Sequence, residues 1–248
     1  MIPETAMVLA AGLGTRMRPL TDHLPKPLIK VAGTPLIDYT LDRFARAGVR
    51  RAVVNVHYRA DQMEAHLKGR RAPEVVISDE RAQLMETGGG LKKAAPFLGR
   101  APVYCTNTDA ILVDGAGAEP CRALSEAWRD DAMDALLLLA PVALASGYDG
   151  AGDFDLGADG ALDWRAGETA PFVYTGLQII RPSLLDGTPD GPFSLRVLWD
   201  KARAGGRMRG VVHDGPWMHV GDPQGLALAE AFFDNRSNER KPQQRVCL

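Results

Sequence analysis

The fold is decided by residues 6–30, AMVLAAGLGTRMRPLTDHLPKPLIK. The stretch opens with an apolar run, Ala6 to Ala11, of the length and composition of a buried strand. The run breaks at Gly12-Leu13-Gly14, where small residues let the backbone approach a ligand. Arg16, Arg18 and Lys26 follow in a loop of about twenty residues with almost no acid. A strand that stops at a glycine turn and leads into fixed cations suits a polyphosphate. Backbone N–H groups in a concave turn bind anionic oxygens, and Arg and Lys neutralise the charge that remains. Lys26 lies between Pro25 and Pro27, so the backbone is expected to be extended on both sides and the lysine to have a fixed direction. Solvated cations beside an ordinary turn would account for neither feature. The P-loop pattern is absent, and the dinucleotide fingerprint G-x-G-x-x-G fails at Met17. The residues therefore predict a phosphate loop of another kind.

Outward from that loop, apolar periodicity alternates between strand and helix. Leu36, Ile37, Thr40, Leu41 and Phe44 repeat at helical spacing and stop at Gly48. Strands are predicted at Ala52–Val56, Glu74–Ile77, Pro102–Thr106 and Ala135–Ala140, with helices at Ala60–Lys68 and Ala118–Trp128. Gly88-Gly89-Gly90 opens a further helical stretch to Ala95. The alternation predicts an α/β chain, a Rossmann-like, mostly parallel sheet with helices on both faces. Ligands of such sheets bind at the carboxyl ends of the strands, where Gly12, Gly88 and Asp109 could meet. After Pro141 the pattern changes to short segments with Gly and Asp turns, read as hairpins of a smaller mixed part. Ser194 can cap a helix through Ala204. Asp222 and Pro223 start a last helix running to about Phe233. One domain is expected over 1–248: a nucleotide half to about residue 140, a second half over 141–233, and a loose tail over 234–248.

Composition bounds the function. A net charge of -2 gives no global pull toward nucleic acid or an anionic membrane. The longest apolar run, Ala135 to Ala145, is too short to span a bilayer, and no basic n-region precedes the first apolar run. Cys105, Cys121 and Cys247 form an odd, sparse set that predicts a reducing, cytoplasmic compartment without a disulfide frame.

LAAGLGTRMRPLT followed by PKPL resembles the signature of the sugar-1-phosphate nucleotidyltransferases, a G-x-G-T-R-x-x-P-L-T loop followed by a P-K-P lysine. The resemblance implies a GT-A-like nucleotidyltransferase fold. It implies that Gly12, Gly14 and Thr15 wrap a nucleoside triphosphate, that Arg16 contacts its phosphates, and that Lys26 contacts the α-phosphate or the sugar phosphate. Glu86 to Ala94 is similar to the family's base-recognition turn, with the base read by backbone groups near Ala10, Ala11 and Gly88. Asn107, at the end of a predicted strand, is placed with the nucleotide-binding residues. The segment Phe172 to Gly176 is similar to a Y-x-G segment that meets the sugar, which implies Thr175 and Gly176 line that side. Gly191–Leu195 and Trp217-x-x-x-Gly221-x-Pro223 most resemble the short bacterial uridylyltransferases acting on N-acetylmuramate 1-phosphate in cell-wall recycling.

Asp109 follows an apolar strand directly. A carboxylate there can hold a hard cation or cap the following turn. Beside a phosphate loop the cation reading is preferred, and the resemblance implies Mg²⁺ as cofactor. Thr108 departs from the family's usual glycine. His219 stands where the family usually has the aspartate that completes the metal site, and an imidazole there can bind metal or phosphate or be structural. The expected partners are UTP and N-acetylmuramate 1-phosphate. Other pairs on the same fold are glucose 1-phosphate with dTTP, mannose 1-phosphate with GTP and phosphocholine with CTP. A nucleotide-sugar sensor without turnover is the alternative outside enzymes.

Overall fold

The computed structural model describes residues 2–239. The chain starts with β1 (Thr5–Leu9), whose alternate residues are buried on opposite faces of the sheet. The cation-bearing loop then runs through three 3-10 turns, at Thr15–Met17, Leu20–Asp22 and Lys26–Leu28. Lys26 is therefore extended only on its Pro25 side. On the other side Pro27 takes an early position of a short helical turn, where its missing N–H costs nothing. A small hairpin, β2 (Lys30–Val31) and β3 (Thr34–Pro35), leads into α1 (Leu36–Arg46). Gly48 ends that helix with a positive φ.

Next come β4 (Arg51–Val56), α2 (Ala60–Leu67), β5 (Glu74–Asp79), α3 (Glu86–Leu98) and β6 (Val103–Asn107). Strands β5, β4, β1 and β6 lie side by side and parallel, with Met7 aligned to both Val53 and Cys105. Their carboxyl ends share one edge. The helical stretch expected from Gly88 to Ala95 is α3, which starts two residues earlier and runs three further, so the glycines lie in its first part. The three glycines are buried there because other backbone and side chains pack onto them: the Phe193 carbonyl accepts N–H bonds from Gly88 (2.8 Å) and Gly89 (3.0 Å).

The rest of the chain is β7 (Ala110–Leu112), α4 (Pro120–Ala127), β8 (Ala135–Pro141), β9 (Ala145–Ser146), β10 (Phe154–Leu156), β11 (Leu162–Trp164), β12 (Phe172–Ile180), α5 (Arg196–Ala204), β13 (Met208–Val212), β14 (Trp217–His219) and α6 (Pro223–Glu239). Strand β12 lies between β6 and β8 and is antiparallel to both, with a register break between Tyr174 and Gln178 around Gly176. Helix α6 continues past the predicted end at Phe233. Phe233 packs on Tyr39 and the Arg236 guanidinium lies over Phe232, which holds the next turn. Residues 240–248 of the expected loose tail, with Cys247, lie outside the described residues.

Two apolar layers flank the sheet. Ile37, Phe44, Met63 and Leu124 from α1, α2 and α4 cover one face, and Leu91, Leu98, Leu198 and Trp199 from α3 and α5 cover the other. A third cluster joins Met17 and Ile29 of the loop to Ile111, Met218 and Val220. It fixes the loop against β7 and β14 and so sets where the loop's cations point.

Candidate active site

A cleft of about 250 Å³ opens at the carboxyl ends of the parallel strands. Its floor and walls come from Leu9 to Gly12, Lys26, Pro27, Asn55 and Asn107 to Asp109, and from Leu84, Glu86 and Thr87 at the start of α3. Of the residues expected from sequence, Ala10, Ala11, Gly12, Lys26, Asn107 and Asp109 meet on this cleft. Gly14, Thr15 and Arg16 continue the same loop just outside it.

Lys26 donates to Asp109 Oδ2 at 3.0 Å, a pair 83 residues apart in sequence and only 12% and 27% exposed at their side chains. The pairing of β14 with β7 sets Ala110 opposite His219, which brings the imidazole to the same carboxylate. The Nε2 atom of His219 stands 3.8 Å from Asp109 Oδ2, beyond hydrogen-bond reach, while Nδ1 is 3.3 Å from the Gly147 carbonyl. The ring stacks on Trp217 and fills the space above Gly221, where a side chain would collide with it. Burial alone would raise the Asp109 carboxyl. The imidazole and the Lys26 ammonium outweigh burial and hold it well below the usual carboxylate range.

This donor set can be tested against the expected cation. Among the described residues no three His, Cys, Asp or Glu side chains gather to cage a metal. One carboxylate with one imidazole beside it suits a divalent ion held mainly by substrate phosphate oxygens, the usual mode for Mg²⁺. Asp109 fits that role, with its charge kept available.

Three expected residues stand apart from the cleft surface. Gly88 sits under Phe193, and its N–H already bonds the Phe193 carbonyl. Thr175 is 1% exposed, and its hydroxyl donates to the Leu138 carbonyl of the neighbouring strand at 2.9 Å. Gly176, with φ +96°, lies against the Asn107 side chain and shapes the cleft from behind. Sequence reading passed over Asn55 and Leu84. Asn55 had a signal: it is the lone polar residue in the apolar strand AVVNV.

The model of the family described as "Nucleotidyl transferase" matches residues 5–155. The N-acetylmuramate alpha-1-phosphate uridylyltransferase of Caulobacter vibrioides is 52% identical over 234 residues, 92% of this chain and 96% of that protein. The enzyme of the same name from Neisseria meningitidis serogroup B is 35% identical, over 92% of this chain and 97% of its own. Among solved structures, UDP-glucose pyrophosphorylase complexed with UDP-glucose superposes with a TM-score of 0.79 at 15% identity, over 95% of this chain and all of that one. A strand, a glycine-broken loop and a lysine–aspartate pair on one cleft, inside a match that spans more than half its length, place the chain in the nucleotidyl transferase family.

Proposed function

We propose that this nucleotidyltransferase moves a uridylyl group from UTP to N-acetylmuramate 1-phosphate, releasing pyrophosphate. The observation that carries the reading is the Lys26–Asp109 pair at the foot of the glycine loop, 3.0 Å apart and largely shielded from water. The similarity to the two uridylyltransferases over nearly the whole chain supports the choice of base and sugar. In this reading one domain carries both halves, the nucleotide side up to about residue 140 and the sugar-phosphate side after it.

A phosphate oxygen of the sugar 1-phosphate forms the new bond to the α-phosphorus. The bond from that phosphorus to the bridging oxygen of the β-phosphate breaks, and its electron pair leaves with pyrophosphate. The attacking oxygen is already ionised, so no side-chain base is required. The protein's part is positioning and charge neutralisation. Gly12, Gly14 and Thr15 offer backbone to the phosphates. Arg16, which makes no ion pair among the described residues, is free to neutralise the departing pyrophosphate. Lys26 turns from Asp109 to the α-phosphate, where charge builds in the transition state. A Mg²⁺ ion held by Asp109, with His219 the next donor, would supply further neutralisation of the phosphate oxygens. No helix among the described residues is long and apolar enough to cross a membrane. A cytoplasmic role in cell-wall recycling accords with that and with the sparse cysteines.

Pyrophosphate release across a panel of triphosphates and sugar 1-phosphates, with one arm lacking divalent cation, tests the reading. UTP with N-acetylmuramate 1-phosphate should give the highest kcat/KM. Lys26→Ala and Asp109→Ala should each lower turnover by about a hundredfold or more. Near-wild-type turnover in either folded variant would remove that residue from the mechanism, and preference for another pair would replace the substrates.

A further inference from the structure

Beneath the cleft lies a line of buried polar groups that the transfer chemistry does not use. The Ala10 N–H donates to Asn55 Oδ1 at 2.6 Å. Asn55 Nδ2 donates to Glu80 Oε1 at 2.8 Å, and the Met85 N–H donates to Glu80 Oε2 at 3.2 Å. Asn55 is 2% exposed and Glu80 is 0% exposed. Glu80 makes no ion pair among the described residues, although carboxylates are rarely buried without one. Gly90 leaves room for the line, because a Cβ there would stand 2.8 Å from Asn55 Nδ2 and 2.9 Å from Glu80 Oε1.

The two ends of this line are the two walls of the cleft. Ala10 directly follows the first strand, and Met85 precedes Glu86, a cleft-lining residue with φ +58°. A non-glycine residue in that conformation persists only where its surroundings hold it. The polarity of the line is also fixed. Both ends are backbone donors, so one interior member must accept twice and donate nothing. An amide followed by a carboxylate satisfies every group, and no rotation of the amide offers an alternative.

We propose that Asn55 and Glu80 are positioning residues that set the width and alignment of the nucleotide-base seat between Ala10–Ala11 and Leu84–Glu86. They act through those walls, and selectivity among bases depends on them. The inference rests on the nucleotidyl-transfer reading only for what occupies the seat.

Glu80→Gln sets a donor against a donor, and Asn55→Asp sets two carboxylates face to face. The double variant N55D/E80Q restores every bond with the charge moved one residue along. Each single variant should raise KM for the wild type's preferred triphosphate by about tenfold, with a smaller change in kcat, and narrow its preference over other bases. The double variant should return both values to within about threefold of wild type. Folded single variants with unchanged KM and base preference, or a double variant no better than the singles, overturn the proposal. Amide exchange in the wild-type chain needs no variant: the Ala10 and Met85 amides should exchange far more slowly than that of exposed Gly12, and equal rates overturn the proposal too. The substrate panel on the wild-type chain fails or succeeds separately. If it selects a triphosphate other than UTP, the pair is scored on that one.

Discussion

A Cβ added at Gly14 would stand 2.9 Å from Lys26 Cβ and 3.0 Å from Thr21 Cγ2, on a backbone with φ +65°. A Cβ added at Gly12, two residues earlier, would meet nothing within 4 Å. The glycines of one turn therefore have different jobs. Gly14 is needed for the shape of the loop, since only it both adopts the left-handed conformation and lets Lys26 lie over it toward Asp109. Gly12 faces the open cleft, and its missing side chain matters once a phosphate approaches. Gly14→Ala should cost about 1–3 kcal/mol of stability and lower turnover with it. Gly12→Ala should change stability by no more than about 0.5 kcal/mol and act on the KM for nucleotide. Urea denaturation of both variants beside steady-state kinetics separates the two roles. Equal stability losses would show that the loop, rather than the ligand, needs both glycines.

Strand β12 carries the join between the two halves of the sheet. At its break the Thr175 hydroxyl bonds the Leu138 carbonyl, and the Thr175 carbonyl accepts from Trp217 Nε1 at 2.9 Å, which seats β14 and with it His219. Thr175→Val keeps the shape and removes the buried hydroxyl, so it should cost about 1–2 kcal/mol in stability. Because that hydroxyl is buried and already bonded to the Leu138 carbonyl, KM for the sugar 1-phosphate should stay within about twofold, a shift of only a few tenths of a kcal/mol. A larger rise in KM would support the sugar-side role that the family resemblance implied for Thr175. This element shows where sequence reading stops. The longer strands and the helices up to Ala140 were legible because each has an apolar run or face that must be buried, whereas β2, β3 and β7 are too short to show one. The phosphate loop was legible because its residue types are dictated by the ligand's charge. The insertion of β12 between β6 and β8 was not, since strand order depends on partners far apart in sequence. The helix α3 was legible from its apolar residues, but the reason for its three glycines was not, since glycine is a poor helix former. Gly88 and Gly89 are needed because the loop at Gly191–Ser194 packs where side chains would be, and Gly90 because Asn55 and Glu80 do. Helix α6 ran past its expected end for a similar reason: aromatic contacts at Phe232 and Phe233 outweigh the polar composition of its last turns.

Across the whole molecule, the titratable groups buried in neutral form should confine stability to a pH window. On the acid side the group is His213, 4% exposed, whose basicity burial lowers from the ordinary 6.5. Below about 6.5 the unfolded chain binds a proton there that the native chain does not, so stability falls as pH falls through that range. On the alkaline side burial pushes the Cys105 thiol from 9.0 up to about 12, against a lowering contact from Gln178. Burial also raises Cys121, Tyr104 and Tyr174. Above about pH 9 the unfolded chain loses protons that the native chain keeps, and the sign reverses: stability falls as pH rises. Each such group should remove about 1.4 kcal/mol per pH unit between its unfolded and native values. Urea midpoints measured from pH 5 to 11 at constant m should therefore form a plateau between about 6.5 and 9 with a decline on each side. His213→Gln should flatten the acid limb. Cys105→Ala should make the alkaline limb shallower while leaving the acid limb unchanged. Within the plateau neither Cys105 nor Cys121 should react with a thiol reagent until denaturant is added, because thiolate is the reactive form and both thiols are buried. A midpoint that keeps rising above pH 9, or rapid labelling of these thiols in the native chain, would mean that the sheet opens at β6 far more readily than its burial implies.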